Sequence, residues 1–263
     1  MRVVHNQSKV TVAGYQVQLT TLSQVAINDA PVIVFIPGIA RSGANLLSFF
    51  DILSGSANII CADLPGQGGS SAIPYPTIER QAKTIGEAVA IALGERRPLL
   101  VGESVGGLVA AQIAANRSFE IEAVLLLDPP LTTGKQWHMY SRSVARFSGS
   151  SHEAAISDQL THVMGFGKDG IQEKLYYDMV AQIEQPIIIA HGDISLFPPR
   201  NLPFAPAMIE PIDRYILSRI TDGHVQFHTI GGAGHLLVDH APEACVAFIR
   251  SVLGDRVKEV GSA

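Results

Sequence analysis

The chain has 263 residues, 47% of them hydrophobic and 16% charged, enough for a sizeable buried core and too apolar for a disordered chain. Lys and Arg number 19 against 24 Asp and Glu, and the formal net charge of −5 leaves no basic footprint for nucleic acid. The 2 cysteines, Cys61 and Cys245, stand too far apart for a zinc ribbon or a disulfide framework, and no apolar run approaches the roughly 18 residues of a membrane span.

In chain order, Lys9 to Ala13 and Tyr15 to Thr21 flank Gly14 and predict an opening hairpin. Val32 to Ile36 is a continuous apolar run stopped by Pro37-Gly38, which predicts a strand buried on both faces. Asn58 to Ala62 predicts the next strand, followed by the turn-rich loop Asp63 to Ser70. Ile78, Ala82, Ile85, Val89 and Leu93 recur at helical spacing, with Gly94 placed as a C-cap. Leu99 to Val101, Ala123 to Leu127, Ile187 to Ala190 and His224 to Ile230 predict four more strands, and Val105 to Asn116 and a segment from Pro242 predict two more helices. The strand rhythm stops between Leu131 and Glu184, which reads as a helical insertion, and Ser195 to Gly223 is a second irregular stretch. Strands alternating with helices imply an α/β fold with a mostly parallel central sheet flanked by helices.

Gly102-Glu103-Ser104-Val105-Gly106 follows an apolar strand and precedes a helix. A tight turn there lifts a serine hydroxyl above the sheet, and glycines on either side let backbone segments approach. The helix N-terminus adds positive potential where an oxyanion would form. Such a turn can also serve only to pack a helix on a strand, so the serine needs a base to be read as a nucleophile. His235 supplies one, directly after Gly231-Gly232-Ala233-Gly234 and before the last helix.

These motifs resemble the α/β-hydrolase superfamily. Val32 to Gly38 is similar to its oxyanion strand and turn, Asp63 to Ser70 to its D-x-P-G-x-G-x-S loop, Ser104 to its nucleophile and Gly234-His235 to its histidine loop, all in family order. The resemblance implies an α/β-hydrolase fold in a single domain over 1–263, with a helical lid at about 131–184. It implies Ser104 as nucleophile, His235 as base and then acid, and the amides of Ile39 and Val105 as the oxyanion hole. The chain has Pro37 where most of the family has His, but the expected donor follows Gly38. A nucleophilic serine argues against dehalogenase or epoxide-hydrolase chemistry, which in this superfamily places Asp there.

The acid departs from the usual pattern. After the seventh strand the family shows G-x-x-D, and here Gly192-Asp193-Ile194-Ser195 puts serine at that place. Asp193 and Asp128 are the two candidates. Asp128 ends the strand Ala123 to Leu127, a position used by some members of the superfamily, and it is preferred to Asp193.

Glu103, Trp137 and Met164 are candidates for the substrate pocket, although Glu103 also fits a side chain held by neighbouring backbone. Asp63 reads as structural, bonding its own loop. His224 and His228, four apart in a strand, read as surface residues rather than metal ligands. The expected activity is serine-hydrolase cleavage of an ester or related acyl bond in a small, fairly apolar substrate, with no cofactor and no metal. The same residues would also serve a cofactor-independent lyase, a dioxygenase or a carbon–carbon bond hydrolase, and a ligand-binding receptor on the same fold is a further alternative. The sparse cysteines and an opening segment without an apolar signal core give a cytoplasmic expectation.

Overall fold

The computed structural model describes residues 3–24, 30–135, 149, 152–167, 170–196 and 204–260. The hairpin β1 (Val3–Val12) and β2 (Tyr15–Gln24) turns at Ala13-Gly14, both at positive φ. Then come β3 (Val32–Ile36), a 3₁₀ turn (Gly43–Leu46), α1 (Leu47–Leu53), β4 (Asn58–Ala62) and α2 (Ile78–Leu93). The Thr77 hydroxyl caps α2 and Gly94, at φ 61°, ends it. β5 (Pro98–Glu103), α3 (Val105–Ala115) and β6 (Ala123–Leu127) build the centre of the molecule.

The sheet has eight strands in the order β1-β2-β4-β3-β5-β6-β9-β10, where β9 is Ile187–Gly192 and β10 is Val225–Ile230. β1–β2 and β2–β4 pair antiparallel and every other pair is parallel. Strand alternation explains the apolar runs. Val32, Val34 and Ile36 face one apolar cluster with α2 and α3, whereas Ile33 and Phe35 face a second with α1 and the last helix. The central strands therefore carry apolar side chains on both faces along most of their length. Their C-terminal ends line up: Glu103 is opposite Leu127, and Leu127 is opposite Ala190. That edge is where open parallel sheets place their ligands.

Within 131–184 the described residues form α4 (Glu153–His162), the two-residue strands β7 (Phe166–Gly167) and β8 (Gly170–Ile171), and α5 (Tyr177–Ala181). The insertion thus carries a small antiparallel ribbon as well as helix. Gln81 of α2 and Gln159 of α4, both wholly buried, exchange two amide hydrogen bonds of 2.9 and 2.8 Å. Each satisfies the other's polar group in an apolar setting.

The stretch 195–223, expected to be irregular, contains the ten-residue helix α6 (Pro211–Ile220). Pro211 occupies the first turn, where a missing N–H costs nothing, and Glu210 and Asp213 form a capping box. A short helix α7 (Leu237–His240) also precedes α8 (Pro242–Val260). Among the described residues no helix is long and apolar enough to cross a membrane.

Candidate active site

Ser104 sits between β5 and α3 at φ 54° and ψ −123°, a left-handed conformation that a non-glycine residue holds only when its surroundings enforce it. The enforcement is visible at its flanks. A Cβ on Gly106 would lie 2.1 Å from the Ile36 carbonyl oxygen, and one on Gly102 would lie 2.3 Å from that of Gly106. The Ser104 amide donates to Leu127 O at 2.9 Å, which continues the β5–β6 ladder through the turn. Serine at a helix N-cap commonly bonds its own helix, but this hydroxyl makes no cap bond. It lies 2.9 Å from His235 Nε2 instead.

The other ring nitrogen, Nδ1 of His235, lies 2.7 Å from Asp128 Oδ2. Asp128 follows β6 at φ 49° and is wholly buried. Its amide extends the ladder to Ala190 O at 2.8 Å, and its carboxylate accepts the amides of Met208 at 2.7 Å and Ile209 at 3.1 Å. Three donors thus converge on one buried carboxylate, the condition under which a buried charge is tolerated. His235 is fixed from the backbone side by its amide bond to Ala205 O at 2.9 Å. The 204–210 segment therefore braces both the imidazole and the carboxylate.

Asp193, the other candidate acid, is exposed and accepts the Gly232 amide at 2.9 Å. It stabilises the turn before His235 and does not bond the ring. Its position early in the β9–α6 connection turns it to that loop.

The Pro37–Arg41 turn stands against the serine. A Cβ on Gly38 would lie 3.1 Å from Ser104 Cβ, so a side chain there would have to push the turn or the serine back by a few tenths of an ångström. The Arg41 amide donates to Gly38 O at 3.3 Å, Ala40 adopts φ 62°, and the Ala40 amide donates to Gln67 Oε1. Ile39, whose amide is a candidate oxyanion donor, is partly buried within this turn. Val105 begins α3, where the first amides lack partners inside the helix.

Glu103 was expected beside a substrate pocket, but it is wholly buried, as a strand side chain directed away from solvent. Arg41 Nε stands 3.0 Å from its Oε2, an ionic contact without hydrogen-bond alignment. Burial pushes the Glu103 carboxyl up, and the charges of Arg41 and then His235 offset this only in part. The Arg41 fork also grips Asp239 of α7, Nη1 to Oδ2 at 2.6 Å and Nη2 to Oδ1 at 3.0 Å. No sequence motif singled out Arg41.

Met164, also expected at a pocket, is buried in the larger apolar cluster with Leu131, Val163 and Phe166, which makes it core of the insertion. Trp137 lies outside the described residues. Asp63 accepts the amides of Gly43 at 2.7 Å and Gly69 at 3.2 Å, and so ties its own loop to the 3₁₀ turn. His228 stacks on Phe248 with centroids 3.7 Å apart, and His224 Nε2 bonds Gln185 O at 2.9 Å. Among the described residues no group of three or more His, Cys, Asp or Glu side chains could hold a metal ion.

The sequence model of the alpha/beta hydrolase family matches residues 33–248. The chain belongs to the alpha/beta hydrolase family. The hydrolase is 31% identical over 104 residues to monoacylglycerol lipase abhd6-B of Xenopus laevis, a match covering 38% of this chain and 31% of that relative. Among solved structures, a bacterial membrane phospholipase A superposes with a TM-score of 0.69 at 18% identity, covering 96% of the hydrolase and 86% of the other chain. A haloalkane dehalogenase from Bradyrhizobium elkani USDA94 superposes with a TM-score of 0.67 at 16% identity, covering 99% and 100%. At such identities the likeness is one of fold, and it spans proteins named for different reactions.

Proposed function

We propose that the hydrolase cleaves an ester or related acyl bond of a small, fairly apolar substrate through Ser104, His235 and Asp128. The observation that carries this reading is the unbroken run from Ser104 Oγ to His235 Nε2, 2.9 Å, and from His235 Nδ1 to Asp128 Oδ2, 2.7 Å. In the first half-reaction Ser104 Oγ adds to the substrate carbonyl while its proton passes to His235 Nε2. The carbonyl oxygen takes up negative charge and is held by the Ile39 and Val105 amides. His235 then protonates the departing alcohol or thiol, leaving an acyl-serine. Water adds to that acyl group, gives its proton to His235, and the acid departs as Ser104 regains the proton. Asp128 fixes the ring so that Nε2 faces the serine, and its charge stabilises the imidazolium formed in each half-reaction.

Acyl substrates are favoured over other classes by the nucleophile's identity and by the partial match to a monoacylglycerol lipase. We read 131–184 as the cover over Ser104 within a single catalytic domain, with Trp137 as a candidate wall of the pocket. The test is labelling with a fluorophosphonate and turnover of chromogenic esters of graded acyl length. One label per chain at Ser104, lost together with turnover in Ser104→Ala, is the expected result. Turnover that survives in folded Ser104→Ala protein would overturn the reading.

A further inference from the structure

Arg41 joins three segments that each carry one part of the site. It belongs to the turn that presents Ile39. Its Nε meets Glu103, the residue before Ser104, at 3.0 Å. Its two terminal nitrogens meet Asp239, in the short helix after His235, at 2.6 and 3.0 Å. The turn needs such a tether. Ala40 holds φ 62°, which costs a non-glycine residue energy that its surroundings must supply. The backbone ties of the turn are the 3.3 Å bond from the Arg41 amide to Gly38 O, the bond from the Ala40 amide to Gln67 and the bond from the Gly38 amide to the Glu103 carboxylate. The last reaches the residue before Ser104, and none of the three reaches the histidine loop. The arginine side chain reaches both.

We propose that Arg41 is a positioning residue, clamping the Ile39 turn against Glu103 and Asp239 so that the Ile39 amide points at the developing oxyanion. The inference rests on the acyl-transfer reading above. The guanidinium suits the task because its planar fork fixes two nitrogens on Asp239 while Nε stays available for Glu103. It is mostly buried, at 14% side-chain exposure, so the clamp is less screened than a surface pair. Lysine has one nitrogen and cannot span both carboxylates in the same geometry. The clamp acts through the Ile39 amide, and Arg41 itself touches neither substrate nor the reacting atoms.

A misplaced oxyanion donor weakens the transition state more than substrate binding. Losing a donor outright costs on the order of 10²–10³ in kcat, so loosening one should cost about 10- to 100-fold. In Arg41→Met, kcat on p-nitrophenyl acetate should fall by about that factor while KM stays within about threefold. Affinity for a trifluoromethyl ketone, whose adduct with Ser104 places an oxyanion in the same hole, should fall in parallel with kcat/KM. Arg41→Lys should recover part of the loss. Wild-type kcat in folded Arg41→Met protein overturns the clamp, as does a fall in kcat without weaker ketone binding. If Arg41→Met fails to fold, Asp239→Asn keeps the Arg41–Glu103 contact and weakens only the exposed grip. It should lower kcat about 3- to 10-fold at unchanged KM, and unchanged kcat there also overturns the clamp. Ser104→Ala separates the two readings: if that variant is inactive and the Arg41 and Asp239 variants behave as wild type, the clamp alone fails. If Ser104→Ala remains active, the acyl-transfer reading fails and the clamp falls with it.

Discussion

Asp128 Oδ2 lies 2.7 Å from His235 Nδ1, although 107 residues separate the two in the chain. Asp193, at the end of the strand beside them, bonds Gly232 in the turn that leads to the same histidine. Asp128 therefore bonds the ring itself, and Asp193 only the turn that precedes it. Asp128→Asn should lower kcat by about 10⁴-fold, the scale of the same change in a serine protease. An asparagine NH₂ would face the Ile209 amide in one orientation and both the Met208 amide and the ring N–H in the other, so the melting temperature should drop as well. Asp193→Asn should cost about tenfold or less, because a solvated carboxylate contributes little. Steady-state kinetics on both purified variants, with melting curves, decide the matter. A larger loss in Asp193→Asn than in Asp128→Asn would place the acid after β9.

The sequence read most accurately where both faces of an element are buried. β3, β4 and β6 have the limits predicted for them, because a strand buried on both faces reads as a near-continuous apolar run. The prolines of 195–223 read as loop punctuation and hide α6, although Pro211 followed by Ile212, Ile216 and Leu217 at helical spacing is a usable start signal. The chain supports only a preference between Asp128 and Asp193, because the choice depends on which strand end meets the histidine loop, and that is a property of the sheet. Arg41 carried no signal at all. Its partner Asp239 is 198 residues away, and a single arginine after a glycine turn has no motif.

Glycine at 106 is a steric requirement, and glycine at 254 is not. A Cβ at Gly106 would press to 2.1 Å on Ile36 O and 2.4 Å on Pro37 O, both backbone atoms that cannot move without displacing the Pro37–Arg41 turn. Gly106→Ala should therefore destabilise by more than about 2 kcal/mol and abolish fluorophosphonate labelling even where protein is recovered folded. A Cβ at Gly254, within α8, meets nothing within 4 Å. Gly254→Ala should be neutral or stabilising by up to about 1 kcal/mol. Chemical denaturation of the two variants side by side makes the comparison, and a tolerated Gly106→Ala would contradict the packing described for the nucleophile turn.

Glu103 gives stability a pH dependence of known sign. Its carboxyl is held above the usual range by burial, with Arg41 only partly compensating. A folded-state value above the unfolded one means that the folded protein favours the protonated acid. That contribution is complete below the unfolded value and is lost as pH rises through the folded one. Gln cannot ionise, so Glu103→Gln removes this loss. The melting temperature of Glu103→Gln relative to wild type should shift in the variant's favour between pH 4 and pH 7. A difference that is constant, or that moves against the variant over that range, would mean that the pair with Arg41 outweighs burial.

One buried carboxylate fastens the insertion to the site. Asp213, wholly buried in α6, accepts the Tyr177 hydroxyl at 2.5 Å and the Glu210 amide at 2.6 Å, and it pairs with Lys135. Lys135 and Tyr177 belong to the two ends of 131–184, so one carboxylate fixes both roots of the insertion. Burial and then the bond to Asp213 push the Tyr177 hydroxyl up, which keeps it a donor throughout the working pH range. The same stretch of backbone, Met208 to Glu210, donates to Asp128 on one side and meets Asp213 on the other. Tyr177→Phe removes one charge-assisted bond and leaves Lys135 and the Glu210 amide in place, so it should cost about 1.5–3 kcal/mol of stability. Asp213→Ala leaves the Lys135 ammonium and the Tyr177 hydroxyl without their carboxylate and should cost about 3–5 kcal/mol. Because the loosened segment also braces Asp128, Asp213→Ala should lower kcat on a small ester, whereas Tyr177→Phe should leave it within about threefold. Denaturation midpoints and kcat measured on both variants test the two effects together. Equal kcat in Asp213→Ala and wild type, at reduced stability, would show that the fastening of the insertion and the alignment of Asp128 are independent.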